Sequence, residues 1–166
     1  MQVNFHAPPH FAGGEGEPEQ AFAWALARRL SEMGLPTQFA ADIDVEVWRK
    51  GLLNAATNPV AALTREPVNE LLHGPARPLV ERLLDEGLAV SDAAGIGLGG
   101  DARARAVFET AAAHLPSMAE DVIAGRSTEI TQLNVQVATR GAALGVPTPT
   151  HNTIVELIRA IDAGLG

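Results

Sequence analysis

The chain has 166 residues, a length typical of one compact domain or of one domain with a short appendage, which excludes most two-domain enzymes. It is 46% hydrophobic, enough to bury a core, and its 12 basic against 20 acidic residues give a net charge of −8, which disfavours nucleic acid and anionic membrane surfaces as partners. Because the sequence has no Cys, no signal-like N-terminus and no apolar run long enough to span a bilayer, we expect a cytoplasmic protein without disulfides.

The first forty residues differ from the rest of the chain. Residues 3–6 and 10–12 predict edge strands or a small hairpin, because a Pro-Pro pair and a glycine loop interrupt them. From Pro18 apolar residues recur at helical spacing up to Gly34, and residues 37–40 predict one more strand. One strand, helix and strand cannot bury both faces of a sheet, so we expect residues 1–41 to be the end of an α/β domain.

Residues 42–166 predict an all-helical domain. Aromatic residues make up only 4% of the chain and Ala is abundant, which favours closely packed helices over a sheet. The predicted helices run from Asp42 or Asp44 to Thr64, from Pro75 to residue 94, from Asp101 to residue 114, over a short stretch after Pro116, from Ser127 or Thr128 to Gly145, and from Thr150 to the C-terminus. The expected fold class is therefore mainly α, a helical bundle with a small α/β N-terminal remnant.

Two features suggest a cofactor or a metal, and the sequence argues against both. Residues 95–100 match G-x-G-x-x-G, but helical periodicity precedes them, so they indicate the end of a helix rather than a dinucleotide-binding turn. His6 and His10 are four residues apart, but the intervening prolines prevent the helix that would place them on one face. We therefore expect neither a cofactor site nor a metal site in this chain.

Lys50, Asn54 and Asn58 form the most informative pattern. At i, i+4 and i+8 they fall on one side of the predicted helix, opposite an apolar face. Asn is a mediocre helix former, so two of them inside a helix call for a reason. One hypothesis is a half-dry cleft for an oxygen-rich small molecule, because the set combines one cation with two amides that donate and accept. The other is a solvated stripe in which Glu46 and Lys50 form an ordinary ion pair.

Glu129 is a second candidate. We expect it in the first turn of a helix capped by Ser127 or Thr128, where the helix dipole favours a carboxylate. That placement alone explains Glu129 as a structural residue, so a functional role is an alternative that the local pattern leaves open.

Several short motifs follow one another between residues 42 and 160. They are Trp48-x-Lys50, Asn54 and Asn58-Pro59, then Glu86, Ser117-Met118-x-x-Asp121, Thr128-Glu129-Ile130 and Gly145-Val146-Pro147-Thr148-Pro149-x-x-Asn152. In this order and separation they resemble the C-terminal domain of the ketopantoate reductase (2-dehydropantoate 2-reductase) family. The resemblance implies an all-helical domain of the type shared with 6-phosphogluconate-dehydrogenase-like enzymes, which holds the substrate and usually builds a homodimer. It also implies that the preceding residues are the last elements of the family's N-terminal domain.

The resemblance implies a role for each candidate residue. Lys50 corresponds to the general acid that protonates the ketone, and we expect its amine to lie among apolar and amide groups. Asn54 and Asn58 correspond to substrate contacts, and Ser117 to a hydroxyl that binds the substrate carboxylate. Glu129 corresponds to the acid that binds the hydroxyl side of a small carbonyl or hydroxy acid.

One position departs from the family's pattern. Val68 stands where the family tends to place a further substrate-binding Asn, and the neighbouring Asn69 would need a shift of one residue to replace it. This difference leaves the identity of the substrate open.

The family binds NADPH on an N-terminal G-x-G-x-x-G domain, and we expect nearly all of that domain to be missing from this chain. The leading hypothesis is therefore a substrate-binding and dimerisation domain that needs a separate nucleotide-binding domain, because hydride must come from the cofactor. A second hypothesis is a stand-alone enzyme that uses the Lys50 and Glu129 cleft for non-redox acid/base chemistry, as a dehydratase, isomerase or cyclase. A third is a non-catalytic dimeric binding module.

Overall fold

The structure, a computed structural model, describes residues 10–13, 16–98, 113 and 115–164. The chain forms two compact units, residues 1–47 and residues 48–166. The strand predicted over residues 3–6 lies outside the described residues, as does the helix predicted over residues 101–114 except for residue 113.

The first unit is a strand–helix–strand element. Strands β1 (His10–Ala12) and β2 (Thr37–Phe39) pair in parallel, and helix α1 (Glu17–Glu32) connects them. Parallel strands need such a crossover, so the predicted strand, helix and strand order is confirmed. The Ser31 hydroxyl fixes the end of α1 to β2, since it donates to the Thr37 carbonyl at 2.9 Å and accepts the Thr37 N–H at 3.0 Å.

The second unit contains the remaining helices of the described residues, which confirms the mainly helical fold class. The helices are α2 (Ile43–Thr64), which begins in the first unit, α3 (Val68–His73), α4 (Arg77–Ala93), α5 (Ser117–Ile123), α6 (Asn134–Leu144) and α7 (Pro149–Ala163). Helix α2 starts as predicted, because the Asp42 carboxylate accepts the N–H groups of Asp44 and Val45 at 3.1 and 3.3 Å. None of the described helices is both long enough and apolar enough to cross a membrane.

Two helical boundaries differ from the prediction. The short helix α3 is an addition, and the predicted helix from Pro75 begins instead at Arg77. The helix predicted from Ser127 or Thr128 begins at Asn134, so placing Glu129 in its first turn was wrong. Thr128 instead contacts α7, because its N–H and hydroxyl both donate to the Asp162 carboxylate, at 3.1 and 2.9 Å. Residues 129–133 consequently form a turn.

A buried hydrogen-bond network joins four helices of the second unit. The amide nitrogen Nδ2 of Asn134 donates to the Ala55 carbonyl at 2.8 Å and lies 3.0 Å from Nδ1 of His151. His151 Nε2 lies 2.9 Å from the Leu83 carbonyl. A carbonyl can only accept, so Nε2 carries the proton and Nδ1 accepts from Asn134. His151 and Asn134 are both fully buried, and the neutral imidazole therefore ties α7 to α4 and α6 to α2.

Glu86 on α4 caps the N-terminus of α7. Its two carboxylate oxygens accept the Thr150 N–H at 2.9 and 3.1 Å, and Oε2 also accepts the His151 N–H at 3.1 Å. A carboxylate at this end of a helix satisfies free N–H groups and interacts favourably with the helix dipole. Glu86 is one of the residues on which the family resemblance depends, and its role in the described fold is structural.

The buried histidine makes stability depend on pH. Burial lowers the pKa of His151 below its ordinary value, although the hydrogen bond to the Leu83 carbonyl and the Glu86 carboxylate partly oppose this effect. Below about pH 6.5 the unfolded chain therefore gains a proton that the folded chain does not, and folding loses up to about 1.4 kcal/mol per pH unit from this group. The free-energy advantage of the wild type over His151→Gln should shrink between pH 7.5 and pH 5 in urea unfolding. An advantage that stays constant over that range would contradict the assignment.

Helix α6 packs so closely that one glycine cannot carry a side chain. A Cβ at Gly141 would lie 2.8 Å from Cγ2 of Thr148 and 2.9 Å from the Val146 carbonyl oxygen, whereas a Cβ at Gly51 on α2 meets nothing within 4 Å. Gly141→Ala should lower the free energy of unfolding by about 1–3 kcal/mol. Gly51→Ala is the matched control and should raise it by about 0.5–1 kcal/mol, because Ala is the better helix former. Thermal unfolding of both variants checks this, and equal effects would refute the packing argument.

Candidate active site

Lys50, Asn54 and Asn58 lie along one side of α2, as the spacing predicts, and their burial increases along the helix. Lys50 is exposed, Asn54 is half-buried, and Asn58 is only 6% exposed. At a rise of 1.5 Å per residue, the backbone positions of Lys50 and Asn58 are about 12 Å apart. The row therefore leads from an exposed cation at one end to a buried amide at the other.

At the buried end, three of the five predicted site residues meet. The Glu129 oxygen Oε1 accepts a hydrogen bond from Asn58 Nδ2 at 3.4 Å and another from the Ser117 hydroxyl at 3.2 Å. We call Asn58, Ser117 and Glu129 the carboxylate cluster. These residues come from α2, from the first position of α5 and from the turn before α6, so only the folded chain brings them together.

Thr57 lies next to the carboxylate cluster. Its hydroxyl donates to the Leu53 carbonyl at 2.9 Å and lies 3.3 Å from Asn58 Oδ1. The single hydroxyl hydrogen serves one of these two acceptors at a time, and it is the hydrogen bond to Glu129 that shows the Asn58 amide turning its NH₂ group toward the carboxylate. The carboxylate of Glu129 therefore receives two donors on one oxygen, and its second oxygen can accept a hydroxyl from a ligand.

Lys50 and Asn54 do not join the cluster through the hydrogen bonds of the described residues. Lys50 is exposed, so the expectation that apolar and amide groups surround its amine is wrong for the described part of the chain. The Ser117 hydroxyl points its donor at Glu129, so in this arrangement it does not offer that donor to a substrate carboxylate. The sequence-based roles of all five residues remain predictions.

The loop that carries Glu129 is held at two points that the sequence did not reveal. Arg126 forms an ion pair with Asp121, with both Nε and Nη2 2.7 Å from the same carboxylate oxygen. Thr128 binds Asp162 through its N–H and its hydroxyl. Asp121 belongs to the resemblance, whereas Asp162 carries no local signal because its partner lies 34 residues away.

Val68 and the glycine-rich segment each lie at one end of a helix. Val68 is the first residue of α3 and only 8% exposed, so an apolar side chain takes the position where the family tends to have an amide. Helix α4 ends at Ala93, and Gly95 follows with a φ of 74°, which is the left-handed geometry of a helix end. This confirms the helix-end interpretation of the segment's described part. Within the described residues, no group of three or more His, Asp or Glu is placed to hold a metal ion.

Comparisons with known proteins agree with this arrangement. Residues 42–162 match the family model described as "Ketopantoate reductase PanE/ApbA C terminal". The chain belongs to this family. A 2-dehydropantoate 2-reductase from Aquifex aeolicus is 32% identical over 153 residues, which cover 87% of this chain and 49% of that protein. The chain thus spans about half the length of the curated relatives it matches.

Solved structures show the same fold. D-mandelate dehydrogenase in complex with NADH superposes with a TM-score of 0.83 at 29% identity, over 94% of this chain and 55% of that one. A dimeric ketopantoate reductase from Staphylococcus aureus superposes with a TM-score of 0.66 at 24% identity, over 85% of this chain and 52% of that one. Dimeric forms therefore occur among related reductases.

Proposed function

We propose that this chain is the substrate-binding domain of a ketopantoate-reductase-type enzyme, and that it binds a small 2-oxo or 2-hydroxy acid along α2. The observation that carries the proposal is the carboxylate cluster, in which Asn58 and Ser117 both donate to one oxygen of Glu129. This arrangement orients the carboxylate and leaves its other oxygen for a ligand hydroxyl. The family membership of residues 42–162 supports 2-dehydropantoate as the first substrate to test.

The order of groups along α2 suggests how such a ligand would lie. Its hydroxyl would donate to Glu129 at the buried end, and the Asn54 amide would contact its middle. Its keto group would lie toward Lys50, whose ammonium holds a proton that can pass to the ketone oxygen as that oxygen gains negative charge. Because Lys50 is exposed in the described chain, the proposal also requires another part of the enzyme to cover it.

The reduction also needs hydride, which NADPH supplies when it is bound. The described residues do not fit that cofactor, because the only described part of a G-x-G-x-x-G match ends a helix instead of following a strand. We propose that a nucleotide-binding domain outside these 166 residues provides the cofactor, and that residues 1–41 are the end of such a domain. We further propose a cytoplasmic homodimer as the working form.

The first prediction concerns the binding of 2-dehydropantoate. Lys50→Met and Glu129→Gln should each weaken binding about tenfold, because each removes a charge-assisted hydrogen bond worth about 1.4 kcal/mol. Arg140→Met and Glu156→Gln remove exposed charges on α6 and α7, serve as matched controls and should bind like the wild type. Isothermal titration measures all four variants. Unchanged affinity in both site variants would refute the proposed site.

The second prediction concerns the cofactor. Titration of the 166-residue chain with NADPH should show no saturable binding, because the two strands that the structure describes, of three residues each, cannot form the sheet edge that positions a pyrophosphate. Fluorescence of the nicotinamide ring is a direct readout. Saturable binding at micromolar NADPH would contradict the assignment of cofactor binding to another domain.

A further inference from the structure

We propose that Asp162, in the last turn of α7, is a positioning residue that holds Glu129 in place for a ligand hydroxyl. This inference rests on the proposed function, because it assigns Asp162 a part in the same site. It concerns a residue that lies 34 positions from the segment it contacts.

The contacts of Asp162 are not those of a helix cap. A carboxylate near the C-terminus of a helix faces the negative end of the helix dipole, which is an unfavourable position. Both oxygens nevertheless have a donor from outside the helix, since Oδ1 accepts the Thr128 N–H at 3.1 Å and Oδ2 accepts the Thr128 hydroxyl at 2.9 Å. Binding Thr128 is therefore the feature that accounts for an acid at this position.

The contacts of Thr128 fix the backbone on both sides of Glu129. It precedes Glu129 directly, and its hydroxyl oxygen also accepts the N–H of Ile130 at 3.4 Å. The Ile130 side chain is only 2% exposed, so the residue that follows Glu129 is anchored in the core. The backbone of Glu129 is thus held between two fixed residues, and its side chain is directed at Asn58 and Ser117.

The sequence around Glu129 favours a different local structure from the one in the fold. The pattern of residues 127–145 predicts one continuous helix, and that helix would carry Glu129 in its first turn. In the fold, α6 starts only at Asn134, and Thr128 lies six residues before it with its N–H and hydroxyl bound to Asp162. Loss of the Asp162 carboxylate should let this segment move toward the helical form and take Glu129 away from the cluster.

The experiment compares two ligands that differ by one hydroxyl. 2-Dehydropantoate carries the hydroxyl proposed to bind Glu129, and 3,3-dimethyl-2-oxobutanoate is the same keto acid without it. In the wild type, the hydroxylated acid should bind more tightly, and Glu129→Gln should abolish that preference. Asp162→Asn should weaken 2-dehydropantoate about tenfold and leave 3,3-dimethyl-2-oxobutanoate within twofold of the wild type.

The controls separate positioning from general damage. Glu156→Gln makes the same change of charge at an exposed position of α7 and should alter neither affinity. Thr128→Val removes the hydroxyl that Asp162 binds, so it should reproduce the selective loss, whereas Thr128→Ser should restore the wild-type preference. If thermal unfolding shows that Asp162→Asn does not fold, the two Thr128 variants test the positioning role of Asp162 in its place.

The outcomes distinguish this inference from the proposed function. The positioning role would be overturned if Asp162→Asn weakened the binding of both ligands equally. It would also be overturned if Asp162→Asn and Thr128→Val kept the preference for the hydroxylated acid. Neither result would contradict the proposed site itself. A wild type that does not prefer the hydroxylated acid, or a preference that survives Glu129→Gln, would instead overturn the proposed function and with it the role of Asp162.

Discussion

The second unit depends on one buried pair of side chains, Asn134 and His151. The Asn134 amide donates to the Ala55 carbonyl of α2 and to His151 of α7, and His151 donates to the Leu83 carbonyl of α4. Buried polar groups are costly when they lack a partner, so these bonds tolerate little sliding of the helices against one another. These bonds therefore fix how the four helices lie along one another.

The same register also places the site. Asn58 lies one helical turn beyond Ala55 on α2, and Asp162 lies three turns beyond His151 on α7. When the core pair fixes Ala55 and His151, it therefore fixes both the buried end of the polar row and the carboxylate that binds Thr128. Glu86 strengthens this coupling, because it caps α7 at the residues where His151 enters the core. Asn58 and the carboxylate that binds Thr128 therefore lie on helices whose positions the buried pair fixes.

Much of this could be predicted from local sequence. The polar row on α2 follows directly from the helical period of 3.6 residues, and the Asp42 cap follows from its short side chain before an apolar run. The position of Glu129 could not be predicted, because the helix that the local pattern favours does not form at Thr128, which instead binds Asp162, 34 residues away. Sequence spacing likewise could not show that Ser117 reaches Glu129, since the two lie on different elements. The family resemblance predicts that both residues belong to the site, but only the fold shows that they are in contact.

We propose that Lys50 and the carboxylate cluster belong to one ligand site. Lys50 is the only lysine in the 166 residues, so reductive methylation with a ¹³C label marks its side chain and otherwise only the α-amino group. We expect the NMR signal of the methylated Lys50 to shift saturably as 2-dehydropantoate is added, while the α-amino signal stays in place. The same titration should require more ligand in Glu129→Gln. A Lys50 signal that stays constant while the ligand is shown to bind would mean that Lys50 and the carboxylate cluster do not form one site.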